Sequence, residues 1–135
     1  MRNVSAFRWL MLTSLLLTLS ACASTQTQSE YPAVEAGNRL DLEYPIESRT
    51  KMMSLTIRRD ANLPTVIISG EGARARTAIE WSTQWFTADG REVSGTSNRF
   101  RRATINPDVA FTLQATAPVP VAETVHVRIR QSDNM

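Results

Sequence analysis

The sequence predicts an all-β fold, an antiparallel immunoglobulin-like β-sandwich of about seven strands, set behind an N-terminal leader and a flexible tether. Three observations carry this. Beyond residue 38, apolar and polar residues alternate along most of the chain. The alternating runs are rich in β-branched and aromatic residues, which suit a pleated, half-buried surface. Turn residues punctuate the runs about every eight to twelve positions, the spacing of a sandwich of short strands.

Residues 1–21 have the parts of a secretory leader. Arg2 and Arg8 make a positive start, and no acidic residue precedes Glu30. Trp9 to Leu19 is then almost wholly apolar, interrupted only by Thr and Ser. A membrane-spanning helix needs about 20 apolar residues, and this run is roughly half as long. It therefore reads as an export signal. Leu19-Ser20-Ala21-Cys22 has the form of a lipobox: a branched apolar residue, two small residues that fit a peptidase cleft, and a cysteine that accepts lipid. Each buried CH₂ contributes about 0.8 kcal/mol, so several acyl chains on Cys22 anchor a protein where one holds it marginally. A disulfide is excluded because Cys22 has no second cysteine to meet. Ala23 and Ser24 follow it, and by the usual sorting pattern of Gram-negative bacteria the absence of Asp there favours the outer membrane, with the domain facing the periplasm.

Residues 22–37 read as lipidated cysteine and tether, mostly Ser, Thr, Gln, Glu and Pro with little to bury. As a coil of about 15 residues this stretch spans about 20 Å. Residues 38–135 then form one small domain, large enough for a single core without disulfides. Loss of Arg2 and Arg8 lowers the 15 basic residues to 13, equal to the 13 acidic ones. A balanced chain lacks the basic footprint of a nucleic-acid binder. Lys51 is the sole lysine, so nearly all positive charge is arginine. Planar guanidinium pairs well with carboxylates, and cross-strand pairing with the equal number of acids accounts for it.

Within the domain, Met53, Leu55 and Ile57 alternate with Ser54, Thr56 and Arg58, and Val66-Ile67-Ile68 is a β-branched run after Pro64. Between Thr77 and Thr87 two periods compete. Ile79, Trp81 and Trp85 share a strand face with Thr77, Thr83 and Thr87, while Ala75, Ala78, Ile79, Trp85 and Phe86 fit a helical stripe. The aromatic and β-branched content selects the strand, as does the Ala88-Asp89-Gly90 turn, with Arg91-Glu92-Val93 returning as a hairpin. Phe111, Leu113 and Ala115 alternate with Thr112, Gln114 and Thr116; Val125, Val127 and Ile129 alternate with His126, Arg128 and Arg130. Asn62-Leu63-Pro64, Gly70-Glu71-Gly72, Asn106-Pro107-Asp108 and Pro118 to Pro120 supply the remaining turns.

From Trp85-Phe86-Thr87-Ala88-Asp89-Gly90-Arg91-Glu92-Val93 onward the chain resembles the YcfL-like family of small bacterial lipoproteins. The likeness resumes at Phe111-Thr112-Leu113-Gln114-Ala115-Thr116-Ala117-Pro118 and continues from Val125 to Arg130. Members often carry a tryptophan after the hairpin, where this chain has Arg99-Phe100. The resemblance implies a lipobox followed by a small β-sandwich, and it brings no catalytic chemistry with it.

Candidate chemistry is sparse, and no metal or cofactor site is expected. The single histidine, His126, shares the outward phase of Arg128 and Arg130, and a metal site needs further ligands. No serine lies in a Gly-x-Ser-x-Gly elbow. Gly70-Glu71-Gly72 lacks the lysine and helix of a phosphate cradle and fits a turn between strands. Asp41 and Glu43 share a strand face and could work as an acid–base pair, although solvated edge charges are commoner. Arg58-Arg59 and Arg101-Arg102 each send successive side chains to opposite faces, so neither pair clamps a ligand. Trp81 and Trp85 are the candidate binding face; as the largest apolar groups of a small domain they suit packing as well.

Two functions follow as expectations. The first is a non-catalytic outer-membrane lipoprotein, held by lipid on Cys22, whose sandwich binds or scaffolds another envelope component. The alternative is a small-molecule or glycan-binding periplasmic lipoprotein using the Trp81/Trp85 face.

Overall fold

The computed structural model describes residues 32–95 and 99–133. The leader, Cys22 and most of the tether lie outside them. Eight strands and one short helix follow in order: β1 (Ala33–Val34), β2 (Arg39–Leu42), α1 (Ile46–Arg49), β3 (Thr50–Arg58), β4 (Thr65–Gly72), β5 (Thr77–Thr87), β6 (Arg101–Ile105), β7 (Ala110–Thr116) and β8 (Ala122–Gln131). They build two four-stranded sheets, β1-β3-β4-β7 and β2-β8-β5-β6. This is the sandwich that the alternation predicts.

Its core lies between the inner faces. β3 contributes Met53, Leu55 and Ile57, β4 Val66 and Ile68, β5 Ile79, Trp81 and Trp85, β7 Leu113 and Ala115, and β8 Val125, Val127 and Ile129. β5 alternates buried and half-buried residues along nearly its whole length, so the strand period defeats the helical one. The reason is tertiary: β5 is central in its sheet, between β8 and β6, and only extended backbone satisfies both ladders.

The predicted hairpin after β5 forms, but its return is a single bridge, Phe86 to Glu92. Gly90 takes a left-handed φ of 78°, Thr87 N–H donates to the Arg91 carbonyl at 2.9 Å, and Val93 N–H to the Trp85 carbonyl at 2.8 Å. Val93 closes it by entering the core.

Three details depart from the sequence expectation. Gly70-Glu71-Gly72 is not a turn but the end of β4. A side chain at Gly70 would collide with Met53 and Phe111, and one at Gly72 with the backbone carbonyl of Asn106. These glycines serve close approach, a recognised use of glycine inside strands. Second, sheet pairing begins inside the stretch read as tether, since Ala33 and Val34 already pair with Ser54 and Leu55. Third, the sandwich is antiparallel except at one side, where β1 runs parallel to β3 and β2 parallel to β8. The entering chain first lines the edge of one sheet and then, past Gly37 with φ 84°, the edge of the other. Asn38 fixes that crossing by accepting the Val125 N–H at 2.9 Å. α1 fills the gap between β2 and β3, with Ile46 wholly buried.

Candidate functional site

Trp81 and Trp85 do not form a binding face. Trp81 is 4% exposed and Trp85 fully buried, because the even phase of β5 faces solvent and the odd phase faces the other sheet. Their candidate role at a surface is therefore corrected to packing. The outward phase of the same strand carries Glu80, Ser82, Gln84 and Phe86, and this phase builds the most structured polar surface of the domain.

Register sets that surface out in rows. Gln84 lies across from His126, which lies across from Arg39; Ser82 from Arg128, and Arg128 from Asp41. In the next row Glu80 stands between Arg130 and Arg102. Opposite charges thus meet across strands, the arrangement that stabilises sheet faces. Arg102 Nε reaches Glu80 Oε1 at 3.1 Å, Arg130 Nη2 reaches Glu80 Oε2 at 2.9 Å, Arg39 Nε reaches Asp41 Oδ1 at 2.7 Å, and Arg128 lies 3.5 Å from Glu43. The hydrogen bonds from Arg130, then from Arg102, hold the Glu80 carboxyl below the ordinary carboxylate range.

Aromatic rings frame the rows. Phe86 packs on His126 with centroids 4.5 Å apart, and the Arg130 guanidinium sits 3.9 Å over the Phe100 ring. Between them lies a shallow depression of about 340 Å³, lined by Arg39, Asp41, Ser82, Gln84, Phe100, His126 and Arg128 among others. His126 is thus outward and half-buried, as its phase predicts. Asp41 and Glu43 also fall on this face, each paired with arginine and not with the other. Of the arginine doublets, Arg102 points outward to Glu80. Arg101 turns to the open side, donating to the Gln114 carbonyl at 3.3 Å and stacking 5.2 Å from the Trp81 ring centroid.

Chemically, this depression offers guanidinium, amide, hydroxyl and imidazole groups to a polar or anionic partner. Ser82 and His126 are diagonal neighbours that share no hydrogen bond. Among the described residues no group of three His, Cys, Asp or Glu side chains is placed to hold a metal ion. Ser82, Gln84, Phe86 and Phe100 were not singled out from the sequence. The signal that finds the first three is the phase of β5: once Trp81 and Trp85 are inside, the alternate residues are outside; Phe100, before β6, has no such signal.

A second concavity, about 480 Å³, opens on the side where β2 faces β3, with Pro32, Leu40, Leu42, Lys51, Met52 and Met53 in its lining. β1 covers only Ser54 and Leu55 of that β3 edge, and a bulge between Lys51 and Ser54 places Met52 at φ 54°.

No family model and no curated protein matches this sequence. Among solved structures, a DUF1425 family member from Shewanella sp. pv-4 superposes with a TM-score of 0.53 at 12% identity, covering 62% of this chain and 79% of that chain. The Campylobacter jejuni cj0090 structure superposes with a TM-score of 0.58 at 14% identity, covering 70% of this chain and 99% of that chain. At these identities the likeness is one of fold.

Proposed function

We propose that this protein is a lipid-anchored outer-membrane protein of the YcfL-like kind whose sandwich is a non-catalytic binding module. It presents the outer face of β2-β8-β5-β6 to another component of the cell envelope. The observation that carries the reading is the depression around Ser82, Gln84 and His126, lined by Arg39 and Arg128, which Asp41 and Glu43 hold in place. Pre-ordered polar groups bind without first losing side-chain freedom, which is where affinity is otherwise lost. Leader and lipobox support the location.

The test is a photo-crosslinking residue at Gln84 in the full-length protein in intact cells, with a control at Thr56 on the other sheet. A discrete adduct at Gln84 and none at Thr56 is the expected result. Equal adducts at both, or none at either, would remove the assignment of this face. Mass spectrometry of the mature wild-type chain tests the anchor separately: it is expected to begin at Cys22 and to carry the added mass of its acyl chains.

A second reading rests on Phe86, Phe100 and His126. Phe100 and His126 line the depression and Phe86 backs His126, whereas the tryptophans are buried, so a glycan or small anionic ligand would stack there. Calorimetric titration with cell-wall fragments that gives no heat with the wild type, or the same heat after Phe86→Ala, would dismiss it.

A further inference from the structure

The end of the sandwich that carries α1 differs from the rest of the surface in two respects. Tyr44, Met52 and Val109, three of the domain's exposed large apolar side chains, are 91%, 59% and 52% exposed there. They share it with Arg49, Arg74 and Arg76, none of which forms an ion pair among the described residues. By contrast, the arginines that line the depression or stand in its charged rows, Arg39, Arg102, Arg128 and Arg130, are each paired with a carboxylate.

Topology brings these six residues together. Thr50 pairs with Gly72 and Glu71 with Ala110, so the start of β3, the end of β4 and the start of β7 lie side by side. Ala73 N–H donates to the Arg49 carbonyl at 2.9 Å, and Gly72 N–H to the Val109 carbonyl at 3.1 Å. Arg76 immediately precedes β5, and Tyr44 lies between β2 and α1, at the same end. Val121, also exposed, sits at the opposite end, in the turn before β8.

The tether enters here. β1 runs parallel to β3, so the chain joins the domain from the end at which β3 begins, and Pro32 lines the concavity beside Met52. Ten residues separate Cys22 from Pro32, counting the cysteine. As a coil they reach about 17 Å, so an anchor on Cys22 holds this end near a bilayer.

We propose that the α1 end lies against the bilayer that holds the anchor, with Tyr44, Met52 and Val109 in the headgroup layer and Arg49, Arg74 and Arg76 pairing with lipid phosphates. The inference rests on the reading that Cys22 is lipidated. Tyrosine suits the interface because its ring is apolar and its hydroxyl wet. Guanidinium pairs bidentately with phosphate, which every phospholipid carries. Acids share this end, Glu47 and Asp133 without an ion pair among the described residues and Glu71 and Asp108 paired with Lys51, so attraction comes from close pairing of the three arginines with phosphate and not from net charge. In this orientation the strands rise from the membrane and the outer face of β2-β8-β5-β6 looks sideways, open to a partner.

The experiment uses the full lipidated chain in vesicles of phosphatidylethanolamine and phosphatidylglycerol. A single fluorophore is placed at Val109→Cys or at Val121→Cys, the thiol of Cys22 being consumed by lipid. The expected result is a blue shift and severalfold protection from aqueous iodide at residue 109, with residue 121 open. In the triple variant Arg49→Gln, Arg74→Gln, Arg76→Gln, checked for folding by its melting curve, the protein stays anchored and most of the protection at 109 is lost. Equal iodide access at 109 and 121 overturns the proposal. Protection that vanishes when the protein is diluted to one copy per vesicle also overturns it, since a second copy would then be the cover. Failure of the anchor is read elsewhere: a wild-type chain whose mass shows no acyl groups on Cys22 refutes lipidation, and iodide access at 109 on added vesicles still decides the orientation.

Discussion

On the outer face of β2-β8-β5-β6, Glu80 lies between Arg130 and Arg102, and Arg128 reaches Glu43. The matching positions of β1-β3-β4-β7 hold Ser54, Thr56, Ser69, Thr112, Gln114 and Thr116 around Ile67, with ion pairs at the margins, Lys51 with Glu71 and Asp108 at one end and Arg58 with Asp60 at the other. Both faces come from the same alternation over one shared core. Long charged side chains locked in pairs stand up from a sheet and wall in a depression. Short hydroxyls, such as Thr65 and Thr116 bonded to each other at 3.1 Å, leave a plane. In the middle of each face the difference lies in side-chain length and pairing, and it lets one face surround a ligand where the other is flat.

Breaking the shared core breaks both faces at once and has the largest expected effect. Trp85→Ala removes the largest fully buried side chain and should lower unfolding stability by about 3–5 kcal/mol in urea titration. Trp85→Phe should cost much less. It leaves a smaller void, and it also removes a buried indole N–H that has no partner among the described residues. Gly72→Ala comes next, at about 1–3 kcal/mol, because the added carbon meets the Asn106 backbone. Hydrogen exchange should show that loss first in β3, β4 and β7, with β5 and β8 still protected.

The two faces should also fail in opposite directions of pH. Arg130, then Arg102, lowers the Glu80 pKa, so its stabilisation is complete above the ordinary value of 4.5 and fades as pH falls through the lowered folded value. Hydrogen bonds to Glu71, then to Asp108, raise the Lys51 pKa on the other sheet. That stabilisation is complete below 10.5 and fades as pH rises through the raised folded value. Melting temperature against pH should lose part of its acid slope in Glu80→Gln and part of its alkaline slope in Lys51→Gln, each variant leaving the other slope intact. Both effects should be small and weaker in salt, since these pairs meet solvent. Ile67→Thr, on the flat face, should fall within about 0.5 kcal/mol of wild type and leave crosslinking at Gln84 unchanged.

Strand positions were largely legible before the structure, because half-burial in a two-layer sandwich forces period two. Thr77 to Thr87 shows the limit: both periods fit its apolar residues, and the ladders on either side of β5 decided between them. Gly70-Glu71-Gly72 shows another, since glycine marks a turn and a close backbone approach with the same letter. α1 was not legible: it is one turn long, and burial of Ile46, not local propensity, holds it. His126, Arg128 and Arg130 were placed outward correctly. Their neighbours Ser82, Gln84 and Phe86 were not legible as a site, because a serine, a glutamine and a phenylalanine carry no site signal until register sets them beside His126 and Arg128.

By itself, then, the sequence determined the β class, the alternating faces, most of the turns and the expectation of a lipid-bearing Cys22, all of which depend on residues near one another in the chain. Only the tertiary structure decided which face meets which. It buried Trp81 and Trp85, set Glu80 between two arginines from different strands, and gathered Arg49, Arg74 and Arg76 at the end where the tether enters. Those outcomes depend on register and strand order, which alternation leaves open, because shifting a pairing by two residues preserves every inward and outward phase while changing every partner.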